Sequence, residues 1–148
     1  MPRMRRVELT LLAIAFLTAA TQAQVRQYRA RISVMPLDVA MQATVAGSGI
    51  VTATLNGATL TINGTFSGLK SPATVARLHD SPRAGMRGKP IADLKVTSGM
   101  SGTITGSIEL TPDQVTALNA ARLCIQLHSE KAPDGNLWGW LFLQEGKK

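Results

Sequence analysis

The stretch GIVTATLNGATLTINGTFSGL, residues 49–69, decides how the chain is read. Small and β-branched residues alternate through it with a period of two, which places successive side chains on opposite faces of a strand. Its two runs meet at Asn56-Gly57. Asn-Gly between alternating runs is the strongest short hairpin signal, because both central residues of a type I′ turn take positive φ. The same texture continues outward in VRQYRARIS (25–33), ATVARLH (73–79), IADLKVT (91–97), SGTITGSIEL (101–110), RLCIQLHS (122–129) and NLWGWLFLQ (136–144), with PDGN at 133–136 as a second tight turn. Asn63-Gly64-Thr65 matches a glycosylation acceptor triplet, but its residues read as a turn. Strands at this spacing, separated by turn signals, predict an all-β antiparallel sandwich or barrel.

One segment departs from that texture. TPDQVTALNAAR (111–122) offers Thr111 as N-cap, Pro112 at the first helical position and Gln114 three residues after the cap. This is a capping box, in which side chain and backbone satisfy each other's free amides. A short helix over residues 112–120 is expected between two strands, with Val115 and Leu118 on its apolar side.

The first residues, MPRMRRVELTLLAIAFLTAATQAQ, place Arg3, Arg5 and Arg6 ahead of an apolar run and a small-residue site ending at Ala23. That order is a secretory signal peptide. The run is shorter than the roughly 20 apolar residues a membrane span needs. The expected mature chain is 24–148, secreted or periplasmic, with no membrane span after cleavage. The formal charge of +7 then falls to +5, from 13 basic and 8 acidic residues. The basic residues are dispersed and aromatics are scarce, so no nucleic-acid surface is expected. Arg83, Arg87 and Lys89, with Lys70 and Arg77 thought to lie nearby, form a basic loop suited to an anionic surface or polysaccharide. Cys124 is the sole cysteine, so no internal disulfide holds the fold, and a small buried thiol is its ordinary reading.

Motifs for phosphoryl transfer and serine hydrolysis are missing: TSGMSGTITG lacks the lysine of a phosphate loop, and VAGSG around Ser48 lacks the first glycine of a nucleophile elbow. Two histidines stand out, His79 ending one strand and His128 ending another. On neighbouring strands they would offer two imidazoles to copper or zinc, although zinc takes three or four ligands. Cys124 lies on the face of His128 but about 13 Å along the strand at 3.3 Å per residue. Trp138 and Trp140 alternate around Gly139 and therefore share a face, which is either an exposed platform for sugar or protein or part of the core.

YRARISVMP, then GSGIVTATLNGATLTINGTFSGLKSPATVARLHDSP, then GTITGSIELTPDQVTALNAARLCIQLHSEKAPDGNLWG occur in an order that resembles the chordin-type (CHRD) domain. The likeness runs from Tyr28 to Gly139 and is most specific in TFSGLKSPAT, LTPDQ and LCIQLHSEKAPDGNLWG. It implies an extracellular β-sandwich of immunoglobulin-like or superoxide-dismutase-like character. It also implies a His-x-His-Gly motif where this chain has Arg77-Leu78-His79-Asp80, and an Ile-His where it has Leu127-His128. A three-histidine site is therefore incomplete here. In the family's Pro-x-Gly-x-x-x-Gly ending, Trp138 and Trp140 replace polar residues.

These readings converge on an exported, non-enzymatic binding module without a cofactor, whose partner is a protein or polysaccharide. Its contacts are expected at Trp138, Trp140, Arg83, Arg87 and Lys89. The alternative is a copper- or zinc-binding or dismutase-like protein using His79 and His128.

Overall fold

The computed structural model describes residues 22–35 and 38–146, so the leader expected over 1–23 lies almost wholly outside the described residues. The strands are β1 Arg26–Val34, β2 Ser48–Asn56, β3 Thr59–Ser67, β4 Ala73–Asp80, β5 Lys89–Val96, β6 Gly102–Glu109, β7 Leu123–Ser129, β8 Ala132–Trp140 and β9 Phe142–Leu143. Helix α1, Pro112–Asn119, joins β6 to β7, and a short 3-10 turn spans Ala40–Ala43.

Every pairing is antiparallel. The ring runs β1–β2–β3–β6–β5–β4–β7–β8 and returns to β1, while β9 adds to β1 beside β8. The expected sandwich is thus corrected to a closed eight-stranded barrel. The two descriptions are nearly related, because two of the junctions are narrow. β5 and β6 share only Lys95↔Thr105 and Val96↔Ile104, and β8 and β1 only Ser33↔Trp138 and Val34↔Leu137. Two four-stranded sheets, β1-β2-β3-β6 and β5-β4-β7-β8, are stitched along both edges by these seams. Closure removes the unpaired edges that a sandwich leaves open.

Gly139 shows how the second seam forms. Its inward position lies so near β1 that a Cβ would stand 2.5 Å from the Arg31 carbonyl oxygen and 2.9 Å from the Ile32 side chain. Any larger residue would hold β1 away.

Alternation sorts the side chains as read from the sequence. Tyr28, Ala30 and Ile32 of β1, Val51, Ala53 and Leu55 of β2, Leu60 and Ile62 of β3, and Ile125 and Leu127 of β7 fill the interior. The helix forms where its signals lie: the Thr111 hydroxyl accepts from the Gln114 amide at 3.2 Å, and the Gln114 side chain accepts from the Thr111 amide at 3.0 Å. Leu118 and Ala117 turn inward and close one end of the barrel, where the Tyr28 hydroxyl donates to Asn119 Oδ1 at 2.7 Å.

Turn positions needed three corrections. The first hairpin is present, but Asn56 pairs with Thr59, so the central residues are Gly57 and Ala58, and of the two only Gly57 has positive φ, at 62°. PDGN is not a turn: β7 and β8 are joined at Glu130–Lys131, with Ser129 paired to Ala132, and Pro133–Asn136 belongs to β8. Gly135, at φ 125°, absorbs an irregularity there that its composition had suggested was a reversal. Asn63-Gly64-Thr65 lies within β3 and pairs with β2 and β6 on both sides.

Candidate binding site on the outer face of β4, β7 and β8

Strand β7 is buried at all seven positions, although an outer strand face normally meets water. Its inward residues pack in the barrel. On the outer side Cys124 packs with Trp138, Trp140 and Met35, and residues 81–88, a strap joining β4 to β5, reach this face through Ser81, Arg87 and Gly88. Two-sided burial fits the apolar residues on both faces of its centre, Leu123, Ile125 and Leu127 inward and Cys124 outward.

The registers place the outward side chains in rows. His79 on β4 lies opposite Cys124 on β7, which lies opposite Trp140 on β8. The next row holds Arg77, Gln126 and Trp138, continued by Asp93 on β5 and Ser33 on β1. Beyond Gln126 comes His128, opposite Val75. The two histidines therefore do sit on adjacent strands, with the glutamine row between them. That adjacency is set by β4–β7 pairing across the 42 residues between Asp80 and Leu123, which no local pattern encodes.

Each imidazole is anchored by one nitrogen. His79 Nδ1 lies 3.2 Å from the Gly88 carbonyl oxygen, and His128 Nδ1 lies 2.8 Å from that of Pro133. A carbonyl only accepts, so Nδ1 carries the proton and Nε2 keeps its lone pair. Both rings are strongly buried, His79 at 7% exposure and His128 at 6%. Burial lowers the pKa of each below the usual 6.5, against the opposing pull of the carbonyl contacts, and Arg77 and Arg87 push the same way as burial. A charge on His128 also lowers the pKa of His79. Both are neutral at physiological pH.

The opposite ends of the rings are left without partners. His79 Nε2, His128 Nε2, both amide atoms of Gln126 and Trp138 Nε1 are buried and make no hydrogen bond. An unpaired buried polar group costs about 1–3 kcal/mol, so five on one small face are a concentrated cost that calls for a ligand. Gln126, 1% exposed, was not among the expected site residues. Its signal was present in the sequence: it is the one amide in an otherwise apolar run, two residues from both Cys124 and His128.

The strap that seals the face is held at several points. The Ser81 amide donates to the Arg122 carbonyl at 2.9 Å, and the Ser81 hydroxyl accepts from Trp140 Nε1 at 3.3 Å. Arg87 lies over the Trp138 ring, 5.0 Å from its centroid, and donates to the Asp134 carbonyl. Two earlier expectations change accordingly. Trp138 and Trp140 are 2% and 8% exposed, so the exposed aromatic platform does not exist. Arg87 is engaged with Trp138, leaving Arg83 and Lys89 as the outward basic residues of that loop. Lys70 is not near them: it bonds the Ala43 carbonyl at 2.9 Å, at the end of β4 away from the strap. Arg77 pairs with Asp93 at 2.9 Å, which partly offsets its charge.

Cys124 is the buried thiol expected, and burial pushes its pKa up to about 12. Its register opposite His79 was not foreseen. Among the described residues no group of three or more His, Cys, Asp and Glu side chains is placed to hold a metal, and no helix is long and apolar enough to cross a membrane.

Comparison with curated proteins and with solved structures returns no significant match. The family model of the CHRD domain matches residues 18–141, most of the chain and all of the barrel except its last short strand. The CHRD domain is an extracellular-type domain, and this chain belongs to that family.

Proposed function

We propose that the protein is a non-enzymatic extracellular binding module whose ligand is a copper ion held by His79 and His128. One observation carries the reading: both imidazoles are fixed through Nδ1 and present a buried Nε2 lone pair with no partner. Fixing one nitrogen by a backbone carbonyl is how metal-binding histidines are commonly oriented. Copper fits better than zinc, because two imidazoles and an amide oxygen from Gln126 fall short of the closed four-ligand set zinc prefers, and copper(II) heads the affinity order for such donors.

The opposing term is the positive field of Arg77 and Arg87. Arg77 is paired with Asp93 and Arg87 is solvent-exposed, so their repulsion acts through a high effective dielectric and amounts to about 1 kcal/mol. Leaving the donors dry and unpaired costs more than that. Binding is favoured over dismutation because both Nε2 atoms are buried, out of contact with solvent.

The test is a titration of the purified protein with copper(I) under reductant, using a competing chromophoric chelator, and with copper(II) and zinc(II), followed by thermal melting. One equivalent of copper should bind and raise Tm, since a ligand selective for the native state stabilises it. His79→Ala and His128→Ala should each abolish both effects. Binding that survives either change would remove these histidines from the site, and no binding would end the copper reading.

A further inference from the structure

The opposite flank of the barrel carries a second, unrelated feature. A groove of about 810 Å³ crosses the outer faces of β9, β1, β2 and β3. We propose that it binds an acidic polysaccharide of the uronic acid type.

The registers assemble it. Phe142 on β9 pairs with Arg29 on β1, while Arg31 pairs with Ile50 on β2, which pairs with Thr65 on β3. Ser48 lies two residues before Ile50 on the same face. The inward neighbours Tyr28, Ala30 and Ile32 are in the core, so strand alternation fixes both arginines outward. No carboxylate lines the groove. Arg29 and Arg31 make no ion pair and no side-chain hydrogen bond with any described residue, whereas Arg26, Arg77, Arg83, Arg87 and Arg122 all have partners. Two free guanidiniums two residues apart on one strand are spaced by about 7 Å, and each presents a planar fork that takes a carboxylate through two hydrogen bonds.

The remaining lining selects among anions. Phe142 is 52% exposed and Ile50 43% exposed, giving an apolar floor beside the two charges. The hydroxyls of Ser48 and Thr65 add donors and acceptors. A uronic acid chain offers the complement of all three: a carboxylate for each guanidinium, ring hydroxyls for Ser48 and Thr65, and an apolar C–H ring face for Phe142. The site is open and elongated, which admits a polymer running across strands. An acidic peptide would meet the charges but offers no ring face to the aromatic residue.

The experiment measures binding of the purified protein to a polygalacturonate fragment of defined length by calorimetry, at 50 and 500 mM salt. Poly-glutamate of equal charge and a neutral glucan serve as comparison polymers. Saturable binding to polygalacturonate is expected, at least tenfold tighter than to poly-glutamate and absent with the glucan. It should weaken at least tenfold at the higher salt, because exposed charge pairs are screened. The Arg29→Ser, Arg31→Ser double variant should abolish it and Phe142→Ala should weaken it about fivefold. Arg83→Ser, Lys89→Ser removes the same net charge elsewhere and should leave it unchanged. All these side chains are exposed, and an unchanged Tm confirms that each variant is folded. No binding, equal loss in both double variants, or binding to poly-glutamate as tight as to the uronate would each overturn the proposal. None of these outcomes depends on the histidines or on copper.

Discussion

Replacing Gln126 with leucine tests the unpaired polar face directly. Both amide atoms of this side chain are buried without a partner, and its neighbours in the row are Arg77 and Trp138. Leucine has a similar volume and no polar atom, so the change removes an unsatisfied group without opening a large cavity. Relief of one such group is about 1–3 kcal/mol, and an apolar replacement in a covered position does not subtract from it. Metal-free Gln126→Leu should therefore gain about 2 kcal/mol in stability, a large step for a domain whose total is about 5–15 kcal/mol. For a chain of this length that corresponds to a rise of about 6–10 °C in Tm. Urea unfolding of chelator-treated protein measures it, with the slope m confirming that the midpoint shift is a stability change. A loss of 1 kcal/mol or more at unchanged m would refute the reasoning. It would mean that the amide is satisfied in solution by the imidazoles or by enclosed water, and that the two Nε2 atoms are not open donors.

Gly139→Ala should destabilise the barrel by about 2–3 kcal/mol, read by urea unfolding, because its Cβ meets the backbone oxygen of Arg31 and the backbone cannot yield as a flexible side chain would. The folded pKa of each histidine lies below the unfolded value of 6.5, so the unfolded state binds more protons under acid conditions. Stability of the metal-free protein should accordingly be fully present above pH 6.5 and decline as pH falls below it; a His79→Gln, His128→Gln double variant should show a flatter melting profile over the same range. Cys124, with its thiol pushed up to about 12, should resist thiol reagents at pH 8 in the folded state and react fully in denaturant, as followed by mass spectrometry. Arg87→Ala should cost about 0.5–1 kcal/mol and shift tryptophan emission to longer wavelength as the strap loosens over Trp138.

Local chemistry carried the sequence reading a long way. Alternation in 49–69 fixed which side chains enter the core, the Thr111/Gln114 box located the helix, and the spacing of Trp138 and Trp140 put both rings on one face. What escaped was everything determined by contacts between distant strands. Whether two sheets remain apart or close depends on two seams of two residue pairs each, and one of them depends on the absence of a single side chain at Gly139. The adjacency of His79 and His128 follows from β4–β7 pairing. Burial of the tryptophans follows from the path of residues 81–88, whose glycines and charges read equally well as a free surface loop. PDGN misled because turn composition and bulge composition are the same residues, and the hairpin closes at Glu130–Lys131, four residues before the Asp134–Gly135 centre that composition indicated.

The closed ring has a consequence for how the chain acquires its structure. β1 begins at residue 26, and its second edge is covered only by β8 and β9, which end at residue 143. A polypeptide emerging N-terminus first thus holds one edge of β1 open until the residues up to Leu143 are available. The hairpin of β2 and β3 assembles from near neighbours, while ring closure awaits the longest loop in the molecule and the loss of chain entropy that goes with it. Loss of Phe142 and Leu143 would therefore uncover the edge of β1 at Tyr28 and Arg29, where an unpaired strand edge invites pairing with another chain.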